Sequence, residues 1–127
     1  MKNLEPDKKS YVNNIIIVEK LGEVYSTTFE KIYYEYNNTV YVFNEPYQLI
    51  IRKEKGDEIM PVLYCAEDES YGISVAEETL EEAIQSFHSD IDFLWRNYAI
   101  EDDEKLGKRP KMLKNNMNKL IREVIKL

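Results

Sequence analysis

The chain has 127 residues, 43% of them hydrophobic and 32% charged, a globular composition sized for one domain rather than two. Its 4 Gly and 4 Pro exclude collagen-like and low-complexity structure. The single cysteine, Cys65, excludes an intrachain disulfide and a cysteine-based zinc cluster. The formal net charge of −7 is unevenly placed: eight bases (Lys105, Lys108, Arg109, Lys111, Lys114, Lys119, Arg122, Lys126) and one acid (Glu123) make the tail +7, which leaves −14 on residues 1–104. An acidic body repels the phosphates that dominate nucleic-acid binding. It favours a basic protein partner, met by fast, salt-sensitive association.

At the N-terminus the charges of residues 1–9 have no hydrophobic segment behind them, so a signal peptide is not expected. The apolar run Ile15 to Val18 suits a strand, and no apolar run approaches the ~18 residues of a membrane span. The expectation is a cytoplasmic protein with no membrane association. Residues 11–75 read as strands. Val24 to Tyr36 reads as a strand, with Tyr25, Thr27, Phe29, Lys31 and Tyr33 alternating against Ser26, Thr28, Glu30 and Ile32. Asn37-Asn38 then marks a turn before Val40 to Phe43, and Glu45-Pro46 marks another before Tyr47 to Ile51. Lys55-Gly56-Asp57 turns into a strand over Ile59 to Ala66, where Pro61 suggests an edge or a bulge. A polar turn at 67–70 leads into Tyr71 to Val75.

The pattern changes at Thr79. Thr79-Leu80-Glu81-Glu82 fits a capping box, the threonine hydroxyl accepting the Glu82 N–H and the Glu82 carboxylate reaching back to the Thr79 N–H. Leu80, Ile84, Phe87, Ile91, Leu94 and Tyr98 recur at helical spacing and form one apolar stripe. After the acids at 101–104, Pro110 opens a second helix with Leu113, Met117, Leu120, Ile121 and Val124 as its stripe. The predicted fold is α+β: a curved antiparallel sheet followed by two C-terminal amphipathic helices. Residues 1–104 form the acidic α+β domain, and residues 105–127 form a basic C-terminal helix docked on it.

Few residue groupings suggest chemistry. His88 and Asp92 lie one helical turn apart, but a zinc site needs further ligands that nothing nearby offers, so they read as a half-exposed histidine beside an acid. Asp90, Asp92 and the 101–104 acids lie on one helix and one linker, unlike the converging carboxylates of a magnesium site. Cys65 lies in a strand beside acids, which suits a small buried residue better than a nucleophile. No catalytic residue, metal or cofactor is therefore expected. Tyr33, Tyr34, Tyr36, Tyr41, Tyr47 and Tyr64 fall in predicted strands, where packing accounts for most of them and an outward subset suits binding. Phe93 falls opposite the apolar stripe, to be covered by the C-terminal helix or by a partner.

The run Tyr71-Gly72-Ile73-Ser74-Val75-Ala76-Glu77-Glu78-Thr79-Leu80-Glu81-Glu82-Ala83-Ile84 resembles the HicB-like antitoxins, in which a hairpin leads through a short acidic step into an amphipathic helix. The resemblance covers residues 47–98 and implies a partial ribonuclease-H-like unit without catalytic acids, which occludes a small basic toxin of the HicA type. The extra strand-like sequence at 11–45 and a tail too short for a complete DNA-binding domain depart from that pattern. The expected function is thus a non-catalytic inhibitor of a basic toxin or nuclease, an antitoxin or immunity protein. Its partner-binding residues would be Glu67, Asp68, Glu69, Phe93, Glu101, Asp102, Asp103 and Glu104. Two rival readings are a phage-encoded anti-defence protein mimicking nucleic acid and a small carboxylate-dependent enzyme using Asp90, Asp92 or His88. Nucleic acid would be reached only through the basic C-terminal helix, and a homo-oligomer stays open.

Overall fold

A computed structural model describes residues 16–127. The fold is α+β, a six-stranded antiparallel sheet with two helices. In chain order the elements are β1 (Glu19–Leu21), β2 (Val24–Tyr34), β3 (Thr39–Lys55), β4 (Val62–Asp68), β5 (Ile73–Glu77), α1 (Leu80–Leu94), α2 (Lys108–Leu120) and β6 (Ile121–Lys126). The sheet runs β1-β2-β3-β4-β5, and β6 pairs with β3 as well. Among the described residues no helix is long and apolar enough to cross a membrane.

The hairpins follow from local chemistry. Gly22, at φ +65°, sits first in the two-residue loop between Leu21 and Val24, where only glycine enters the left-handed region without strain. Asn38 closes the β2–β3 loop at φ 50°, ψ 46°, a conformation that asparagine tolerates. The expected strand at the start of the chain is displaced. Residues 16–18 precede β1 without joining a strand, and Ile15 and residues 11–14 lie outside the described residues. The next departure is β4, which begins at Val62 rather than Ile59. The Asp57 carboxylate accepts from the Ile59 and Met60 N–H groups at 2.9 and 2.7 Å and holds 57–60 as a loop.

Val40–Phe43 and Tyr47–Ile51 belong to one 17-residue strand, so Glu45-Pro46 is not a turn. Phe29 pairs with Tyr47 and Lys31 with Val42, which sets Glu30 alone opposite Phe43, Asn44, Glu45 and Pro46. This wide bulge absorbs the proline, whose missing N–H costs nothing where no ladder bond forms. It also stacks Phe43 on Tyr47, with ring centroids 5.7 Å apart.

The C-terminal stretch is corrected too. The helix expected to run through 105–127 ends at Leu120, and Ile121–Lys126 continue as β6 against Thr39–Phe43. Ile121, Val124 and Ile125 are β-branched and gain from strand pairing what a last helical turn would not supply. Asn44, in the bulge, donates to the Lys119 carbonyl at 2.6 Å and so satisfies one of the acceptors left free at the end of α2.

α1 starts as predicted, with one difference in the cap. The Thr79 hydroxyl accepts from the Glu82 N–H at 3.1 Å and donates to the Glu82 carboxylate at 3.0 Å, instead of that carboxylate reaching the Thr79 N–H. Ala83, Ile84, Phe87, Ile91 and Leu94 bury one helix face on the sheet, and Phe87 stacks on Tyr47 at 5.0 Å and on Phe29 at 5.8 Å. Each such large side chain contributes ~1.5–3 kcal/mol before entropy. The stripe reaches Tyr98, which is half-buried and packs against the edge of the core. A π-helical turn over Trp95–Ala99 widens the spacing there, and Ala99 joins Leu94 in the core.

Since Ile91 is fully buried in that face, Ile91→Ala should lower unfolding stability by ~2–5 kcal/mol in urea titration with the slope unchanged.

Candidate functional site

Of the residues with catalytic potential, the structure commits two to the interior. Asp92, 1% exposed, accepts from the Tyr41 hydroxyl, from Asn37 Nδ2 at 2.6 Å and from Arg96 Nε at 2.8 Å. Three donors hold a charge that burial would otherwise make costly. Burial first, and then the hydrogen bond to Asp92, push the Tyr41 hydroxyl well above its ordinary pKa. The sequence reading of a half-exposed histidine is corrected: His88 is 5% exposed, with its ring edge-on to Phe29 at 5.2 Å. Its Nε2 has no hydrogen-bond partner, and desolvation lowers its pKa to about 4. Cys65 is buried in β4 as expected, its thiol pKa raised by burial and then by the nearby Glu54 carboxylate. Among the described residues no three of His, Cys, Asp and Glu converge to hold a metal ion.

The partner-binding residues expected from the sequence lie on either side of α2, which uses several of them. In the β4–β5 loop, Asp68 is structural, accepting from the Tyr47 hydroxyl at 2.7 Å and from the Ser70 N–H at 3.1 Å. Burial and this bond raise the pKa of Tyr47. Glu67 pairs with Arg52 at 3.3 Å. Arg109 and Asn116 of α2 donate to the Glu69 and Ser70 carbonyls at 3.4 and 2.6 Å. On the other side Lys114 donates to the Glu101 carbonyl at 2.6 Å and pairs with Asp103 at 2.9 Å, which holds the Asp103 carboxyl below the ordinary range. Glu101 also meets Lys105 at 3.6 Å, while Asp102 and Glu104 are exposed and outside these ion pairs. The basic helix therefore spends part of its charge on the body.

Where β5, α1 and α2 meet is a cleft of about 300 Å³, with Gly72, Ser74, Asp90, Phe93, Tyr98 and Leu113 in its walls. Three local features build it. Gly72, at φ +65°, closes the β4–β5 loop. Asp90 and Phe93 share one face of α1 by their three-residue spacing. The π turn brings the Tyr98 ring edge-to-face against Phe93, with centroids 6.2 Å apart. Phe93 remains 51% exposed, so α2 borders it without covering it. Asp90 is half-buried, and desolvation, followed by the Glu77 charge, raises its pKa. Glu77 accepts from the Ser86 hydroxyl at 2.7 Å, one helical turn before Asp90. Among the described residues neither Asp90 nor Glu77 has a cation at ion-pair distance.

The sequence reading singled out Phe93 and placed Tyr98 in the apolar stripe, where it packs against the core, but it put Asp90 on a solvated face and did not join the three. The available signal was an exposed aromatic three residues after an acid. Of the six tyrosines singled out, Tyr41 and Tyr47 are interior, while Tyr36 lies in the β2–β3 turn and is 80% exposed. Comparison with known proteins adds nothing to this geometry: no family model, curated protein or solved structure matches the chain.

Two outcomes follow for the buried pair. Asp92→Asn should cost ~1.5–3 kcal/mol in thermal or urea unfolding, the scale of a charged hydrogen bond lost from the interior. For His88, the unfolded chain takes up a proton near pH 6.5 and the folded chain only near pH 4. Stability present above pH 6.5 is therefore lost as pH falls towards 4, by about 3 kcal/mol. Urea titrations at pH 7 and pH 4 should show His88→Leu losing less between the two pH values than the native protein, by about that amount.

Proposed function

We propose that this chain is a non-catalytic inhibitor of a basic protein, an antitoxin or immunity protein that occludes a toxin nuclease in the cytoplasm. The observation that carries the reading is the uncompensated acidic surface beside the exposed Phe93. Among the described residues no ion pair neutralises Glu77, Glu81, Asp90, Asp102 or Glu104, and of the α2 cations only Lys114 is ion-paired, to Asp103. Such a surface steers a basic partner, and an exposed aromatic beside it supplies an anchor. The HicB-like pattern of Tyr71–Ile84 supports the same reading, since it belongs to proteins that occlude basic toxins. The docking of α2, with Leu113 and Met117 buried, supports a tail that completes the body rather than one that reads DNA.

The test is a tagged pull-down from the native host, followed by association kinetics with the captured protein. Replacing Glu77, Glu81, Asp102 and Glu104 together by their amides should slow association and flatten its salt dependence, with a smaller effect on dissociation. An association rate for the native protein that does not fall as salt rises would refute charge-driven recognition.

A further inference from the structure

The cleft combines three features that suit one kind of ligand group. Asp90 is a half-buried carboxylate with no cation beside it among the described residues, and Glu77 adds a second negative charge on the same side. Phe93 and Tyr98 meet at an interplanar angle of 77° and form an aromatic corner in the same wall. Their π faces attract a cation and offer nothing to an anion. The cleft volume, about 300 Å³, lies at the small end of the ~300–1,000 Å³ range of ligand sites, a scale that suits one long side chain.

Among the described residues no Lys or Arg lines the cleft. Arg109 borders its Gly72 wall, since a Cβ there would lie 3.8 Å from the guanidinium, but that group donates to the Glu69 carbonyl at 3.4 Å and makes no ion pair with Asp90. Lys114 is held by Asp103 and the Glu101 carbonyl, and Arg96 by Asp92.

Resting on the inhibitor reading, we propose that the cleft is its anchor site and receives the guanidinium or ammonium head of one arginine or lysine side chain of the basic partner. Asp90 supplies the counter-charge, and Phe93 and Tyr98 supply the π faces. The occupant is a polypeptide side chain rather than a free small cation, because the acidic segments 67–69 and 101–104 come within three residues of the lining residues Tyr71 and Tyr98 and would draw further basic residues of the same chain. A free amine would use none of that surface.

The experiment is an amide NMR titration in physiological salt with three probes: an arginine nonamer, a lysine nonamer and N-acetylarginine amide. Both nonamers should shift the Ser74, Asp90 and Phe93 amides, and Asp90→Asn should weaken the arginine nonamer about tenfold while the protein stays folded. Phe93→Leu, which keeps apolar bulk but removes the ring, should weaken it about threefold. If shifts appear only around Glu67–Glu69 and Glu101–Glu104, and Asp90→Asn changes nothing, the cleft is not the anchor. The inhibitor reading would survive that result, because it stands or falls on the salt dependence of association with the captured partner. If N-acetylarginine amide binds the cleft as tightly as the nonamer, the ligand is a small free cation and the polypeptide assignment is wrong.

Discussion

β3 carries the molecule. Its 17 residues offer backbone hydrogen bonds along two edges, and each edge has to be satisfied where it is buried. β2 occupies one edge along most of the strand. The other is divided, with β6 taking Thr39–Phe43 and β4 taking Arg52–Lys55. The bulge at 43–46 lies between these two pairings, and the parts that depend on it are distant in sequence. Asn44 holds the end of α2, Phe43 and Tyr47 stack across the extra residues, and Tyr47 reaches both Phe87 in the core and Asp68 in the β4–β5 loop. A straight strand would not place one side chain against the end of α2 and the next ring over α1.

Two ionisable residues on successive turns of α1 show how far surroundings decide chemistry. Asp92 and His88 are both buried, yet Asp92 is ringed by donors from β3, the β2–β3 turn and its own helix, while His88 meets aromatic edges and no donor or acceptor at Nε2. The hydrogen-bonded environment holds a charge and the aromatic one excludes it. Asp90, between them in sequence, turns to the opposite side and meets the cleft. Three neighbouring polar residues that look alike in the sequence thus take part in a buried hydrogen-bond network, in core packing and in the wall of a surface cleft.

α2 ties the acidic surface to the fold. It donates to carbonyls in both acidic segments, and its Leu113 forms part of the cleft wall. Among the described residues only Lys114 of its cations is ion-paired, to Asp103, so the helix braces this surface without an ion pair to Asp90.

What could be read from the residues alone was short-range. Thr79 and Glu82 are three apart and cap α1 whatever lies beyond; the Ala83–Leu94 stripe needs only helical spacing; Asn37-Asn38 turns a hairpin by its own backbone preferences; and the acidic body with its basic tail is a matter of counting. What could not be read depended on partners far along the chain. Ile121–Lys126 looked like a continuing apolar helix face until β3 offered an edge, and Lys126 reaches Thr39 at 2.8 Å across 87 residues of sequence. Glu45-Pro46 resembled a turn because a proline that interrupts a strand and a proline that bulges within one share the same local signal; the partner β2 decides between them. Two of the three donors that hold Asp92, Tyr41 and Asn37, likewise come from more than 50 residues away, and only Arg96 lies within a local window. Local sequence sets the element types, whereas strand pairing and side-chain burial are long-range free energies that exist only once the chain has closed on itself.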